Sequence, residues 1–329
     1  MRGKPFLSVV IPAYNASGTL GKLLESLAKS TFKNFEILIG DDASHEQYLV
    51  GKNITIVRLT HNKGPAAARN AAAKRASGNI LVFLDADVVV YPDTMAKIAG
   101  KFKEDNDLTA ITGVWDKHQR TKSFFPQFKA LRDWSYWTNE RDRDGYYYLF
   151  STRIAAIRRD VFTRLGGFNE AFRQMEDVEL TYRIAKRYAI IFAPDVRVHH
   201  EFEEFWPVAR KYFWRSFYWT KLYRARRKFD PVATTISETL TAITGVGGIG
   251  VIGIGIFLYF MVPFAWVRSI TLATAAILLL FHIFFLRKFL LFCWREKGIV
   301  FTLKALGTGL VLYIVILTGS AYYQVKKNI

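Results

Sequence analysis

The sequence predicts an α/β domain built on a mostly parallel sheet, followed by an α-helical membrane domain. Three observations carry this expectation. Short β-branched apolar runs alternate with helical patterns through the N-terminal third, acidic pairs stand where two of those runs end, and from Pro231 onward charge becomes rare and long apolar stretches take over.

LSVVIPAY reads as a strand buried on both faces, because it is short, β-branched and uninterrupted by polar side chains. After Asn15-Ala16-Ser17-Gly18, Leu20, Leu23, Leu24 and Leu27 recur on one helical stripe. FEILIG and ITIVRL are further strands. Gly64-Pro65 opens an alanine-rich helix, with proline where the first turn tolerates it, and Ser77-Gly78 closes it. NILVFLDAD is the next strand. Strands separated by helices in this way predict a parallel sheet, whose ligands bind beyond the carboxyl ends of the strands.

The acidic residues stand at those ends. One strand runs into Asp41-Asp42-Ala43-Ser44 and another into Asp85-Ala86-Asp87. Side chains at i and i+2 of an extended segment point the same way, so Asp85 and Asp87 can share one ligand. Mg²⁺ or Mn²⁺ suits such a site, since either takes a few carboxylates and completes its shell with water and phosphate oxygens.

In order and spacing, SVVIPAYN, GDDAS and HNKGPAAARNAAAKRASGNILVFLDAD resemble the successive motifs of family 2 glycosyltransferases with the glycosyltransferase-A fold, a Rossmann-like architecture. The resemblance implies that Pro12, Tyr14 and Asp42 line a nucleoside pocket, with Asp42 receiving an N–H of the base. It implies that Arg69 steadies the nucleotide, that Asp85 lies near the ribose, and that Asp87 binds a metal on the diphosphate. The family often has Val-Asp-Asp-Gly-Ser where this chain has Gly40-Asp41-Asp42-Ala43-Ser44. LGGFNEAF followed by QMEDVELTYRIAKR is similar to the family's acceptor-side segment. There Glu176 and Asp177 fall in a first helical turn, where backbone N–H groups stabilise negative charge. Both are candidate catalytic residues, with Asp177 the leading candidate for base. PDVRVHHEF reads as a strand with Val196, Val198 and His200 on one side, and family members often carry a metal-completing histidine after such a strand. The spacing from Pro194 favours His200 over His199.

The 46 lysines and arginines against 28 acidic residues give a formal charge of +18, which points to an anionic partner. The basic excess concentrates in FWPVARKYFWRSFYWTKLYRARRKF, directly before the apolar region. That position fits an interfacial helix on anionic lipid headgroups better than a nucleic-acid surface. The expected division is therefore 1–204 catalytic, 205–230 interfacial and 231–329 transmembrane, with spans near 239–267, 269–286 and 305–324. The glycines of GVGGIGVIGIG are expected to serve close helix packing. Arg287, Lys288, Arg295 and Lys297 outnumber Arg268, so the positive-inside rule predicts a multi-pass cell-membrane protein whose catalytic domain faces the cytosol. Lys326 and Lys327 at the tail weigh against three full crossings and leave a re-entrant or interfacial third segment open. LSVVIP is too short for a leader and lacks a cleavage site. The sequons at Asn15 and Asn53 are expected to go unused on the cytosolic side. Cys293, the one cysteine, is expected to be inert. Phe124, Phe128, Leu131 and Trp134 recur near helical spacing, which suits either core or a lipid-touching flap beside the acceptor.

The expected reaction is inverting transfer of a sugar from a nucleoside diphosphate donor, a UDP-sugar first among them, to a hydroxyl of a lipid-linked or polyprenyl-linked acceptor. No nucleic-acid partner is expected. Two rivals stay open. A polyprenyl-phosphate sugar synthase would need no base, and a processive polysaccharide synthase would carry a Gln-x-x-Arg-Trp signature, of which KYFWRSFYW is only a loose echo.

Overall fold

The computed structural model describes residues 4–48, 51, 54–140, 148–226, 236–262 and 264–326. Asn53 and the expected interfacial residues 227–230 lie outside them. The chain divides into an α/β unit, residues 1–122 and 141–202, and a helical unit, residues 123–140 and 203–329. Unlike the contiguous division expected, the sequence between the two catalytic blocks supplies a helix to the helical unit.

In the α/β unit, β1 (Leu7–Ala13), β2 (Phe35–Asp41), β3 (Ile54–Arg58) and β4 (Ile80–Leu84) are the apolar runs read from the sequence. They are joined by α1 (Ser17–Ala28) and α2 (Pro65–Ala73). After β4 come β5 (Val88–Val90), α3 (Thr94–Glu104), β6 (Ala110–Trp115), β7 (Ile154–Arg158), α5 (Arg159–Arg164), α6 (Glu176–Ala185) and β8 (Ile190–His200), with α4 (Phe124–Ser135) contributed to the other unit. All eight strands form one sheet in the order β3-β2-β1-β4-β7-β6-β8-β5. The first four are parallel; beyond them β7 runs antiparallel to both β4 and β6. The sheet is therefore mixed. Its parallel half is the half whose pattern was legible.

From β1 the chain builds outward to β2 and β3, then returns to place β4 on the other side of β1. That reversal opens a crevice beyond the carboxyl ends of β1 and β4, where the sequence carries Tyr14 and Asp85. Leu20, Leu23 and Leu27 of α1 lie in the core beneath it, with Val9, Ile11 and Val82. On α2, alanines 66, 67, 68 and 72 bring the helix close to the sheet. The approach is tightest at Gly40 of β2. A Cβ there would stand 2.0 Å from the Ala68 carbonyl oxygen, so the family's common valine is excluded at this position.

At the opposite end of the sheet, Glu36 joins three segments. It accepts hydrogen bonds from Ser8 Oγ (2.6 Å), Ser77 N (2.7 Å), Ser77 Oγ (2.8 Å) and Gly78 N (3.2 Å). Burial pushes its carboxyl up, but these donors outweigh burial and hold it below the ordinary glutamate value.

In the helical unit, Phe125, Phe128 and Leu131 of α4 pack with α7 (Phe205–Arg226) through Val208 and Ala209. Leu286, Phe289 and the fully buried Cys293 of α9 (Ala265–Lys326) complete this core. Of the α4 stripe read from the sequence, Phe128 and Leu131 are buried in this core and Phe124 packs against it. A π-helical turn, Tyr136–Glu140, follows α4. Among the described residues two helices, α8 (Ile236–Met261) and α9, are long and apolar enough to cross a membrane. The expected first span of 239–267 overshoots, because α8 stops at Met261 and α9 begins at Ala265. The sequence carries Pro263 there, a residue that cannot extend the α8 hydrogen-bond ladder. Within α9, Gly298 has φ 80° and ψ 178°, so the helix breaks between the second and third expected spans. Close packing by glycine is found at Gly245 and Gly248, where a Cβ would stand within 3 Å of His282 and Leu279 of α9.

Two stability measurements follow. Gly40→Ala forces α2 off β2 and should cost about 1–3 kcal/mol in chemical denaturation; an unchanged midpoint would contradict the packing. For Glu36, the folded state binds its proton less readily than the unfolded chain does. Its contribution is therefore full above the unfolded glutamate pKa and is lost as pH falls through the depressed folded value. Glu36→Gln should lower the midpoint at neutral pH, and the gap from wild type should close on acidification.

Candidate active site

One cleft, about 680 Å³ in volume, lies in the α/β unit and gathers Pro12, Tyr14, Asp42, Arg69, Asp85 and Asp87. Six of the nine residues singled out in the sequence thus share its wall; of the other three, Glu176 bonds to Arg69 and His200 to Asp87.

Arg69 is the hub. It projects from α2, is 3% exposed, and donates through Nη2 to Asp85 Oδ1 and through Nη1 to Glu176 Oε1, both at 2.8 Å. Its guanidinium lies 5.7 Å from the Phe168 ring centroid. Burial pulls the Arg69 pKa down, but Asp85, Glu176 and Asp177 together hold it above its ordinary value. The carboxylates show the converse. Burial is the largest influence on both Asp85 and Glu176; with Asp87 and Asp177 as like-charged neighbours of Asp85, and Asp177 of Glu176, it keeps each above its usual range despite Arg69. Glu176 is spent on this bridge and is buried, so its geometry is that of a positioning residue. Asp177 is half-buried on the first turn of α6, where its Oδ1 accepts the Val178 N–H at 2.8 Å. Its charge is felt by Arg69, Asp85 and Glu176.

Asp42 is 3% exposed, and its two oxygens accept Lys63 N (2.7 Å) and Gly64 N (2.8 Å). It shapes the loop that opens α2 as well as lining the cleft. Asp41 does not line the cleft; it accepts Ser44 N at 3.0 Å and pairs with Arg58. Asp87 and His200 meet, with Nε2 of His200 3.2 Å from Asp87 Oδ2, across the antiparallel pairing of β5 and β8. His199 faces Glu201 instead, at 2.7 Å. His200 stacks on Trp115 at 4.8 Å, which fixes its ring plane. Among the described residues no three metal-ligating side chains cluster. Asp87 and His200 are the pair that could hold a divalent cation, which would have to draw its remaining ligands from water and a bound ligand.

Several residues of the site escaped the sequence reading. Asn70 exchanges hydrogen bonds with the Phe168 backbone at 2.8 and 2.9 Å, and Gly167, at φ 70°, leaves room for its Oδ1. Arg69 and Asn70 thus join the two motif blocks side by side. Asn15, Thr19, Asn62 and Arg173 also line the cleft. Arg173 sits in an unpatterned loop, and its only signal was proximity to Glu176. Among the described residues three non-glycine positions adopt positive φ, namely Asn15 (48°), Ala43 (60°) and Met175 (69°). All adjoin site residues, where such backbone strain concentrates.

Residues 8–166 match the model for Glycosyl transferase family 2. A Haemophilus influenzae protein described as an uncharacterized glycosyltransferase is 27% identical over 187 residues, covering 54% of this chain and 61% of that protein. The Escherichia coli UDP-Glc:alpha-D-GlcNAc-diphosphoundecaprenol beta-1,3-glucosyltransferase WfgD is 39% identical over 87 residues, 25% of this chain and 34% of that protein. The matches therefore span less than two thirds of either relative's length. Among solved structures, the mannosyltransferase PcManGT from Pyrobaculum calidifontis, in complex with GDP-Man and Mn2+, aligns with a TM-score of 0.55 at 19% identity over 98% of this chain and 88% of that one. At that identity the likeness is one of fold, the glycosyltransferase-A type. The family match runs from β1 to the glycine turn after α5, through the strands that build the cleft, and residues 8–166 are a glycosyl transferase family 2 domain.

Proposed function

We propose that the chain is a membrane-bound, inverting, metal-dependent glycosyltransferase, moving one sugar from a nucleoside diphosphate donor to a hydroxyl of a lipid-linked acceptor. The observation that carries this is the single cleft gathering Tyr14, Asp42, Arg69, Asp85 and Asp87 beyond the carboxyl ends of β1 and β4. Tyr14, about half exposed, offers a ring to a base, and the Asp42 oxygens keep lone pairs for a base N–H. Arg69, locked by Asp85 and Glu176, holds its charge at the ribose and phosphate end. Arg173, exposed on the cleft wall, adds a second cation for the diphosphate. When bound by Asp87 and His200, Mn²⁺ or Mg²⁺ supplies Lewis-acid charge to the leaving diphosphate.

Asp177 takes the proton of the acceptor hydroxyl as that oxygen attacks the anomeric carbon. The bond from that carbon to the diphosphate oxygen breaks, and the diphosphate leaves with the electron pair. The name of WfgD supports a UDP-sugar donor and a polyprenyl-diphosphate-linked acceptor, and the PcManGT complex supports Mn²⁺ with a nucleotide sugar. The exposed apolar surfaces of α8 and α9 support insertion in the bilayer where such an acceptor lies, and the charge on the α7 surface supports contact with anionic lipids.

A transfer and donor-hydrolysis screen over UDP- and GDP-sugars, with and without Mn²⁺, tests the reading; failure with every donor in the presence of metal sinks it. Asp87→Ala should abolish turnover with an unchanged thermal midpoint, and full wild-type activity in excess EDTA would exclude the metal. Asp177→Asn should keep donor affinity and lower kcat by about 10²–10⁴-fold. Retained turnover in that variant would favour an acceptor phosphate, which needs no base.

A further inference from the structure

The third apolar stretch has the composition of a membrane span, yet its contacts are those of a helix lying along a surface. We infer that residues 299–326 lie in the plane of the membrane interface, paired with α7, whose outer face meets anionic headgroups; only α8 and the first part of α9 cross. This rests on the membrane-bound reading above and concerns the helical unit alone.

Three observations carry it. The first is what meets the stretch at its midpoint. Tyr313 lies within the field of the Arg132 guanidinium, which donates to Glu140 at 2.6 Å and to Glu238 at 3.3 Å. A crossing helix centred there would hold this ionic group at the bilayer midplane, where charge is costly. The second is what the midpoint touches on the hairpin. Tyr313 packs on His282, and His282 Nδ1 donates to the Thr241 carbonyl at 2.8 Å near the start of α8. A Cβ at Gly245 would meet Leu310 at 2.7 Å. The middle of the third stretch therefore meets the Glu238 end of the hairpin. Farther along α8, Ile254, Phe257 and Phe260 are exposed.

The third observation is the companionship of α7. Phe205 packs on Phe125, and Phe301 on the adjacent Phe124, so both helices set out from the same neighbours. They meet again where Phe213 and Phe217 contact Tyr322, and at Gly319 a Cβ would stand 2.3 Å from the Phe213 carbonyl oxygen. Arg210, Lys211 and Arg215 of α7 fall between or beside these meeting points and are exposed. If the third stretch crossed, these cations would be carried into hydrocarbon with it. At the interface they instead face headgroup phosphates, which favour them.

The hairpin's other end has the signature of the opposite interface. Tyr259, Phe260, Phe264 and Trp266 are exposed there, and Arg268 caps α8 by donating to the Tyr259 and Val262 carbonyls at 3.0 and 3.3 Å.

Full-length protein carrying Cys293→Ala, which removes the only native thiol, provides the background for Phe264→Cys, Arg295→Cys and Lys326→Cys, reconstituted in vesicles containing anionic lipid. With a membrane-impermeant maleimide, Phe264→Cys should label from one side and both Arg295→Cys and Lys326→Cys from the other. Labelling of Lys326→Cys from the Phe264 side shows a third crossing and overturns the inference. Labelling of all three from one side overturns the spanning hairpin itself, a separate failure. Nitroxides at the exposed positions Leu303, Val311, Ile314 and Thr318 give an independent readout. Uniform shallow immersion is expected, and a depth that passes through a maximum near Ile314 would refute the in-plane placement.

Discussion

The α/β unit depends on one buried cation. Arg69 has lost nearly all its water, and a guanidinium in that condition is tolerable only when carboxylates replace the lost hydration. Asp85 supplies one from the end of β4 and Glu176 the other from the start of α6. Satisfying one charge therefore fixes the relative positions of a helix, a strand end and a second helix. The cleft is the space this arrangement leaves in front of β1 and β4. The tightness of the α2 packing follows from the same need. Only a helix of alanines, lying against a glycine in β2, comes near enough to the sheet to deliver Arg69 to both partners.

The positioning of the acids follows from this in turn. Asp85 and Asp87 follow β4 on either side of Ala86 and both line the cleft, yet their neighbours differ. Asp85 is held by Arg69, while Asp87, half exposed, looks across to His200 on β8. Glu176 and Asp177 are split likewise, one turned inward to the bridge and one left nearer the surface. In each pair, one acid is bound to Arg69 and the other stays nearer the surface.

Much of this was legible in the sequence because the relevant signals are local. Four strands, two helices and the strand-end acids each announce themselves within about ten residues, the scale on which periodicity and turn chemistry act. Gly167 and Gly166 likewise marked the turn before α6. What escaped is non-local. Nothing near Asn70 says that it will bind Phe168, and nothing near Arg173 places it beside Gly64. The mixed half of the sheet and the assignment of α4 to the helical unit arise from pairing over long separations, which no short window contains. The glycine at position 40 was visible as a departure from the family pattern, but its reason, the carbonyl of Ala68, was not.

The separation between Arg69 and Glu176, 107 residues, has a consequence for synthesis of the chain. Translation delivers β1 to β4 and α2 first, so the half of the cleft built by β1 and β4 is made while one of the two counter-charges for its arginine has yet to leave the ribosome. Until α6 emerges, burying Arg69 would leave its charge under-compensated, and the close docking of α2 on the sheet is correspondingly disfavoured. The alanine surface of α2 and the floor beneath Gly40 then stay exposed for the time needed to polymerise those intervening residues. Because domains are made from the N-terminus onward and unfinished apolar surfaces are prone to association, the nascent chain is most vulnerable in that interval. Arrival of a single glutamate ends it.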